Sequence, residues 1–188
     1  MKLLRKLGYS TAFKVVNRFL LSFFYDNKYL YGKYFDEQRY GFVWAWRCIP
    51  SLIRKRKLGI KWPVVNTCRI PSGKNIQFAN SSLNIFQQPN CYFQNYHGKI
   101  IIGENVWIAQ NVGIITENHN PRNPDEHLAP RDVIIGDSCW IGMNAVILPG
   151  VVLGPHTTVG AGSIVTHSFP GYCIIAGNPA KIIKKIND

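Results

Sequence analysis

Residues 134–165 have the sequence IIGDSCWIGMNAVILPGVVLGPHTTVGAGSIV, and this stretch decides the fold. An aliphatic side chain returns at every sixth place, and the same spacing continues upstream to residue 102 after one interruption. The positions are Ile102, Ile108, Ile114, Ile135, Ile141, Ile147, Leu153, Val159 and Val165. A period of six fits neither the 3.6 residues of a helical turn nor the alternation of an isolated strand. The pattern therefore indicates a repeat architecture.

A hexad has room for one short strand and one corner, so three hexads complete a flat-sided coil. Coils then stack at the usual strand spacing of ~4.8 Å, with the aliphatic side chains pointing inward. A small or β-branched residue four places after each aliphatic fills the remaining interior, and Cys139 holds one such place. We therefore expect Cys139 to be a buried filler rather than a nucleophile. Glycine directly after the aliphatic, as at Gly136 and Gly142, is expected to help the chain turn the corner.

These residues resemble the left-handed parallel β-helix of the hexapeptide-repeat acetyltransferases, in the branch that contains galactoside, maltose and capsular-polysaccharide O-acetyltransferases. The resemblance covers roughly residues 64–186 and ends on Ala176-Gly177-Asn178-Pro179-Ala180-Lys181. It implies a mainly β fold, acetyl-CoA as co-substrate, no required metal, and a homotrimer whose sites lie between subunits. The left hand comes from the resemblance alone, because general rules favour right-handed crossovers.

The N-terminal third has a different composition. Residues 1–69 hold 15 Lys/Arg and 3 Asp/Glu, whereas residues 70–188 hold 7 of each. We predict a basic, aromatic-rich helical segment over residues 1–62 and the acetyltransferase β-helix over residues 63–188. Apolar residues at helical spacing predict an amphipathic helix within residues 1–25. A looser pattern over residues 70–100 predicts irregular early coils. The apolar positions of the predicted helix are Leu3, Leu4, Leu7, Phe13, Val16, Phe19, Leu20, Phe23 and Phe24.

The excess positive charge admits two interpretations. It is either a solvated basic face or a surface for an anionic partner, such as a membrane or a lipid-linked glycan. The aromatic residues of this segment are more often core than membrane contacts, so packing on the β-helix is favoured over membrane docking. Nucleic acid is not expected, since no binding motif is present. The best apolar run is too short for a membrane span, and no signal peptide is evident. Five cysteines without a CxxC pair fit a reducing compartment. We expect a cytoplasmic protein, with peripheral contact at the inner membrane face left open.

The hexad register breaks once, because the interval from Ile114 to Ile135 is not a multiple of six. The polar loop over residues 115–133 holds three prolines and two histidines, and long polar loops on regular scaffolds are usually functional. His119 stands at the start of this loop, where a rigid coil would hold it. Histidine titrates near neutral pH and suits removal of a hydroxyl proton. Glu117, Asp125 and Glu126 are the candidates to orient it.

The resemblance carries over further residues one at a time. His119 corresponds to the catalytic base, although Asn118 replaces the glycine that often precedes it. Asn95 corresponds to an acceptor contact, and His127 is a weaker candidate for the acceptor pocket. His167 stands where some relatives have a lysine for coenzyme A. The expected coenzyme A contacts are Trp140, Gly142, Met143, Ala161, Lys181 and Lys184.

The resemblance also implies a mechanism of direct transfer without a covalent acyl-enzyme. Two rival functions stay open: a non-catalytic trimeric scaffold that docks on membrane, and a γ-type carbonic anhydrase. The second would need His97, His119 and His127 to converge on zinc. The acceptor, O- against N-acetylation and the acyl chain length are not determined by these patterns. A sugar hydroxyl on a surface-polysaccharide intermediate is the favoured acceptor.

Overall fold

The hexads fold into stacked coils in a computed structural model that describes residues 10–186. All nine aliphatic positions of the repeat are buried, and so are the small side chains four places after them. Cys139 is fully buried among these, and its thiol donates to the Gly154 carbonyl at 3.2 Å. Burial raises the pKa of Cys139 to about 11, so the thiol stays protonated at neutral pH. The prediction that Cys139 is an interior filler is confirmed.

The β structure consists of short strands at nearly regular intervals. Within residues 10–186 they are β1 Ile76–Phe78, β2 Tyr92–Gln94, β3 Ile100–Ile102, β4 Trp107–Ile108, β5 Gly113–Ile115, β6 His119–Asn120, β7 Asn123–His127, β8 Val133–Ile135, β9 Trp140–Ile141, β10 Val146–Ile147, β11 Val152–Leu153, β12 Thr157–Val159, β13 Ile164–Val165, β14 Cys173–Gly177 and β15 Ala180–Lys185.

Three parallel sheets form the sides of a prism. The first face contains β1, β3, β8 and β11, the second contains β4, β9, β12 and β14, and the third contains β2, β5, β10 and β13. β15 adds an antiparallel strand to the second face. Ile135 lies beside Leu153 and Ile141 beside Val159, so one coil takes three hexads. The mainly β repeat fold is therefore confirmed.

Two edges of this prism carry candidate site residues, and each is named by the faces it joins. The second–third edge holds residues 142–145 and 160–163. The third–first edge holds residues 148–151 and, one coil earlier, the loop over residues 115–133.

The corners show that the expected role of glycine was wrong. The left-handed backbone conformation falls three places after seven of the nine aliphatics, at Asn105, Asn111, Ser138, Asn144, Gly150, His156 and Gly162. Glycine one place after the aliphatic has another purpose. A Cβ added to Gly136 would lie 2.8 Å from the Pro155 nitrogen, and one on Gly142 would lie 2.6 Å from the Ala161 nitrogen. These glycines let the backbone of the next coil approach closely.

The early coils are irregular, as predicted. Ile76 of β1 pairs with Ile100 of β3, so this coil is four hexads long instead of three. The extra chain forms a 3₁₀ helix over Asn80–Gln87, whose Leu83, Ile85 and Phe86 are buried.

The N-terminal segment contains the helices α1 Thr11–Ser22, α2 Lys33–Asp36 and α3 Tyr40–Lys55, with 3₁₀ turns at Asn27–Tyr29 and Arg56–Leu58. Its aromatic side chains pack on the first coils. Trp62 is buried, with ring centroids 5.4 Å from Tyr29 and Phe86 and 5.1 Å from Phe78. One hydrophobic cluster runs from Leu21 through these rings to Ala180.

Helix α1 does not bury the apolar stripe that its sequence predicts. Leu21 is its only buried residue, while Val16, Phe19 and Phe23 are 54–64% exposed. Arg18 instead turns toward the body and forms an ion pair with Asp36. The helix is amphipathic, but its apolar face points away from the β-helix. Residues 1–9 of the predicted helix lie outside the described residues, and every helix between residues 10 and 186 is too short or too polar to cross a bilayer.

Candidate active site

The loop of residues 115–133 is an ordered hairpin rather than an irregular excursion. Its strands β6 and β7 are antiparallel, and His119 pairs with His127 across them. The base of the loop is tied by two backbone bonds: Leu128 N–H donates to the Asn118 carbonyl at 2.8 Å, and Arg131 N–H donates to the Thr116 carbonyl at 2.7 Å. His119 is therefore held close to the rigid coil.

The ring of His119 has a defined orientation. Its Nδ1 lies 2.6 Å from the Pro124 carbonyl oxygen. A carbonyl only accepts, so Nδ1 carries the proton, and Nε2 is left with its lone pair. The His127 ring lies against the same imidazole, with centroids 4.3 Å apart, and both residues are exposed. This arrangement suits a general base that faces solvent or a bound acceptor.

None of the carboxylates considered for orienting His119 bonds to it. Glu126 accepts from the side-chain amides of Asn120 and Asn123 at 3.0 Å each, and it thereby stabilises the hairpin. Asp125 donates its backbone N–H to Asn123. The backbone carbonyl of Pro124 takes the orienting role, which a search for acidic side chains could not find.

Glu117 serves a second histidine instead. This carboxylate is buried and lies 2.8 Å from the Nδ1 of His97, whose side chain is 71% exposed. Gln94 anchors the turn before the loop, because its Oε1 accepts from the backbone N–H groups of Thr116 and Glu117 at 2.9 and 3.2 Å. His97 follows β2, one coil below the loop of residues 115–133 on the third–first edge, since Gln94 pairs with Ile115.

Asn95 is fully buried, which the sequence did not predict. Its Oδ1 accepts from Ser72 N–H at 3.1 Å, and its Nδ2 donates to the Ser72 carbonyl at 2.7 Å. Both polar atoms therefore serve to join neighbouring coils. Contact with an acceptor would require Asn95 to exchange these bonds, so that role stays a prediction.

The residues expected to contact coenzyme A lie elsewhere on the prism. Gly142, Met143 and Ala161 form the second–third edge, and Gly162 N–H donates to the Met143 carbonyl at 2.8 Å. Trp140 projects from the second face and is 56% exposed. The Gly142 N–H donates to the Val159 carbonyl at 2.8 Å, and its carbonyl accepts from the Ala145 N–H at 3.3 Å, so both backbone groups of Gly142 have partners within the chain.

The predicted phosphate contacts come from the antiparallel strand β15. Lys184 pairs with Ile174 and Lys181 with Ala176, and both lysines are exposed. Trp140, Thr158, Ile174 and Lys184 occupy successive strands of one row across the second face. The row leads from an aromatic ring to positive charge. His167 lies apart from it, on the third–first edge beside Thr166.

Trp107 belongs to this surface and was missed. It pairs directly with Trp140 on the second face and is 50% exposed. The signal was present in the hexads, because each tryptophan comes one place before an interior isoleucine.

The structure does not bring all predicted site residues together in one chain. His119 and His127 belong to the third–first edge, whereas Met143 and Ala161 belong to the second–third edge. The whole third face separates the two groups. A cleft of about 240 Å³ on the first of these edges is lined by Asn118, the residue before His119, and by Leu128, Arg131, Leu148 and Thr166.

All five cysteines are free and buried. Within residues 10–186, no three His, Cys, Asp or Glu side chains are grouped so that they could hold a metal ion.

Residues 132–167 match the family model described as bacterial transferase hexapeptide, six repeats. That segment carries the bacterial transferase hexapeptide repeat. The chain is 39% identical over 94 residues to the galactoside O-acetyltransferase of Escherichia coli strain K12, a match covering 47% of this chain and 45% of that protein. The chain spans about half the length of the curated relatives it matches.

Solved structures agree on the fold. The crystal structure of a maltose O-acetyltransferase from Clostridium difficile 630 is 35% identical, covers 64% of each chain and superposes with a TM-score of 0.55. A galactoside acetyltransferase in complex with coenzyme A covers 96% of this chain and 84% of its own at 24% identity, with a TM-score of 0.58, and it supports the fold alone. These neighbours are left-handed β-helices, so the expected hand is confirmed.

Proposed function

We propose that this hexapeptide-repeat protein is an acetyl-CoA-dependent O-acetyltransferase with His119 as its general base. The observation that carries the proposal is the orientation of the His119 ring, whose Nδ1 is held 2.6 Å from the Pro124 carbonyl. Its Nε2 is thereby left free on a braced hairpin beside a cleft. A sugar hydroxyl on a surface-polysaccharide intermediate is the acceptor we favour, because the similar proteins named above are galactoside and maltose O-acetyltransferases.

The reaction is a direct transfer. His119 Nε2 takes the hydroxyl proton as the acceptor oxygen bonds to the thioester carbonyl carbon. The carbonyl becomes an oxyanion, which a backbone N–H would stabilise. When the oxyanion collapses, the carbon–sulfur bond breaks, and the imidazolium returns its proton to the departing thiolate. The Pro124 carbonyl favours the imidazolium throughout, because it accepts the Nδ1–H bond.

The donor follows the second–third edge in this proposal. Trp140 and Met143 flank the pantetheine arm, Ala161 leaves space for it, and Lys181 and Lys184 meet the phosphates as point charges. No resident metal takes part in these steps. Trp107 extends the aromatic surface below Trp140 and is a further candidate contact.

We name the second–third edge around Met143 and Ala161 the donor groove. The separation of His119 from this donor groove supports a homotrimer. Both edges border the third face. If three copies turn their third faces toward a common axis, the third–first edge of one copy meets the second–third edge of the next. His119 of one subunit then reaches the thioester bound along its neighbour. The outward side chains of the third face include Ile115, Val146 and Ile164, which are apolar and only half-buried in a single chain.

Peripheral membrane contact belongs to the same proposal. Val16, Phe19 and Phe23 expose an apolar face on α1, and the N-terminal third holds the excess of positive charge. Apolar insertion combined with attraction to anionic lipid is how interfacial helices bind. Five buried free thiols fit the reducing cytoplasm, so we place the reaction at the inner face of the membrane.

The test is thiol release from acetyl-CoA over a panel of sugars and nucleotide sugars, with the wild type beside His119→Ala. The proposal expects acceptor-dependent release that the variant loses by ~10²-fold or more. His127→Ala is the comparison variant, because it removes the ring that lies tilted against His119 without removing the Nδ1 bond to the Pro124 carbonyl. Undiminished release by His119→Ala would refute the assigned base. Silence of both proteins without acetyl-CoA binding would favour the scaffold alternative.

A further inference from the structure

The charge around the first coils is one-sided. Residues 38–103 contain ten Lys/Arg and no Asp or Glu. This segment covers α3, the first three strands and the turns between them. Cations without intervening carboxylates create a positive field that is strongest in concave places.

This segment contains a pocket lined by Arg47 and Arg54, and a second pocket that is lined by the buried Lys55. The second pocket has a volume of about 450 Å³, and its lining includes Lys55, Leu58, Asn66, Arg69, Ile70 and Tyr96. Two of these side chains are cationic, and none of them is acidic. The Arg69 guanidinium lies over the Tyr92 ring, 5.2 Å from its centroid, and Nη2 is 3.4 Å from the Tyr96 hydroxyl. A neutral hydroxyl and a ring hold the guanidinium in place without neutralising it.

Lys55 is a buried ammonium that has no counterion among the described residues. It is only 9% exposed, and its Nζ donates to the carbonyls of Val65 and Cys68. The ion pairs within residues 10–186 join other residues. An ammonium has three N–H donors, so one is left to face the pocket. Burial lowers the pKa of Lys55, as expected for a charge that has lost water without gaining an anion.

We propose that this pocket binds the phosphate or diphosphate group of the acceptor, and that the acceptor is therefore a phosphate-linked sugar. This subsite, with Lys55 and Arg69 as its cations, rests on the proposed acetyltransferase function. Arg69 supplies a planar fork that matches phosphate oxygens, and Lys55 supplies a point charge from below.

The position of the pocket suits a long acceptor. Arg69 forms a bridge with Tyr92, which pairs with Gly113 of β5, the strand that leads into the catalytic loop. Two strand spacings separate these levels, about 10 Å at ~4.8 Å per coil. A sugar whose phosphate sits beside Arg69 can thus present a hydroxyl near the third–first edge, where His119 lies. His97, held by Glu117, stands between the two levels on the same edge.

Calorimetric titration with inorganic pyrophosphate tests the subsite, in ~0.15 M salt and with coenzyme A present at saturation so that its own phosphate contacts are filled. We expect one site per chain, and Arg69→Gln should weaken it at least about tenfold, the loss typical of a hydrogen bond to a charged group. Lys61→Gln is the matched control: it removes the same charge from an exposed lysine outside the pocket and should change the affinity less than twofold.

Lys55→Met is the second variant, checked for folding by its melting temperature, because the Val65 and Cys68 carbonyls lose a donor. If Lys55→Met does not fold, the affinity of Arg69→Gln for pyrophosphate still tests the subsite. Absence of pyrophosphate binding would overturn the subsite. Equal weakening of the affinity by Lys61→Gln would also overturn it, because it would indicate a diffuse basic surface. Retained acetyl transfer to a neutral sugar in that case would leave the acetyltransferase proposal standing. Pyrophosphate binding without any acetyl transfer would instead contradict the acetyltransferase proposal, while the phosphate subsite would stay supported.

Two further arms identify the source of the phosphate. One uses uridine diphosphate glucose, and the other uses phosphatidylcholine vesicles with and without a polyprenyl diphosphate. Arg69-dependent binding in either arm supports the proposal and names the source. Binding of pyrophosphate with failure of both larger ligands would overturn the assignment of the pocket to an acceptor.

Discussion

At the scale of single residues, the close stacking of coils decides which substitutions the fold tolerates. A Cβ on Gly136 would lie 2.8 Å from the Pro155 nitrogen and 2.9 Å from the Leu153 oxygen, both backbone atoms that cannot move aside. We predict that Gly136→Ala lowers the free energy of unfolding by about 1–3 kcal/mol, the usual effect of overpacking. Gly113→Ala is the control, since its Cβ would meet Val146 at an ordinary 3.7 Å. Urea denaturation that finds the two variants equally stable would contradict the close-approach explanation.

The buried thiol of Cys139 predicts loss of stability in alkali. Its pKa is raised from 9.0 to about 11 in the folded chain by burial. Between these values the unfolded chain has lost a proton that the folded chain retains, so stability falls as pH rises through that window. The contribution present below pH 9 is on the order of 3 kcal/mol, at about 1.4 kcal/mol per pH unit. Cys139→Ala should make the fall in unfolding free energy from pH 9 to 11 shallower, and an unchanged slope would contradict the assignment.

The residues that the sequence predicted best were the interior ones. A period of six determines which side chains point inward, and Ile141 and Cys139 needed no further information. Asn95 and His119 show the opposite case. The bond from Asn95 to Ser72 depends on the stacking of irregular early coils, and the bond from His119 to Pro124 depends on a backbone carbonyl. The pattern of side chains along the sequence predicts neither of these two hydrogen bonds.

At the scale of elements, the catalytic hairpin is an insertion into a single hexad. Deleting residues 117–131 puts Ile135 six positions after Ile114, which is the spacing of one hexad. Asp132 then falls on the corner position that Asn111 holds in the preceding hexad, and Val133 falls on the interior position of Val112. We predict that this deletion retains cooperative unfolding and loses acetyl transfer. Deleting residues 118–131 is the control, because keeping Glu117 shifts the register by one place and should prevent folding. Transfer by the first variant would show that the hairpin is dispensable.

Helix α1 makes its own prediction about membranes. Phe19 and Phe23 stack edge to face at 5.3 Å on its exposed apolar side. Phe19→Ser with Phe23→Ser should lower the affinity for anionic vesicles, measured by cosedimentation, by about 10²-fold or more, because about 1.5–3 kcal/mol is gained when each such side chain is buried. Val152→Ser, at an exposed position on the first face, should leave it unchanged. Equal vesicle binding by both proteins would remove the role given to α1.

The same helix marks a limit of periodicity. The 3.6-residue pattern predicted an amphipathic helix correctly but gave no information about which face meets the body. That choice is made by Arg18, whose pairing with Asp36 requires the cationic side to turn inward. An ion pair with a residue of the next helix cannot be derived from the sequence of α1 itself.

At the scale of the whole molecule, the main consequence of the fold is the separation of two functional edges. Counting hexads from Ile114 and Ile141 puts the loop and the Met143 corner on different edges, so their separation was implicit in the register. What the hexads could not show is the apposition of copies, since the outward residues of the third face follow no motif. The positive segment over residues 38–103 was visible in composition, whereas its concentration around Lys55 and Arg69 needed the folded chain.

The measurement that tests the account most directly is complementation between two inactive variants. His119→Ala removes the base, and Ala161→Trp fills the donor groove on the other edge. Each alone should be inactive. Coexpressed with different tags and purified as mixed trimers, they should recover about one third of wild-type acetyl transfer, because a trimer that holds both variants joins an intact base to an intact groove at one of its three sites. Mixed trimers no more active than either parent would contradict a transferase site assembled from His119 of one copy and the groove of the next.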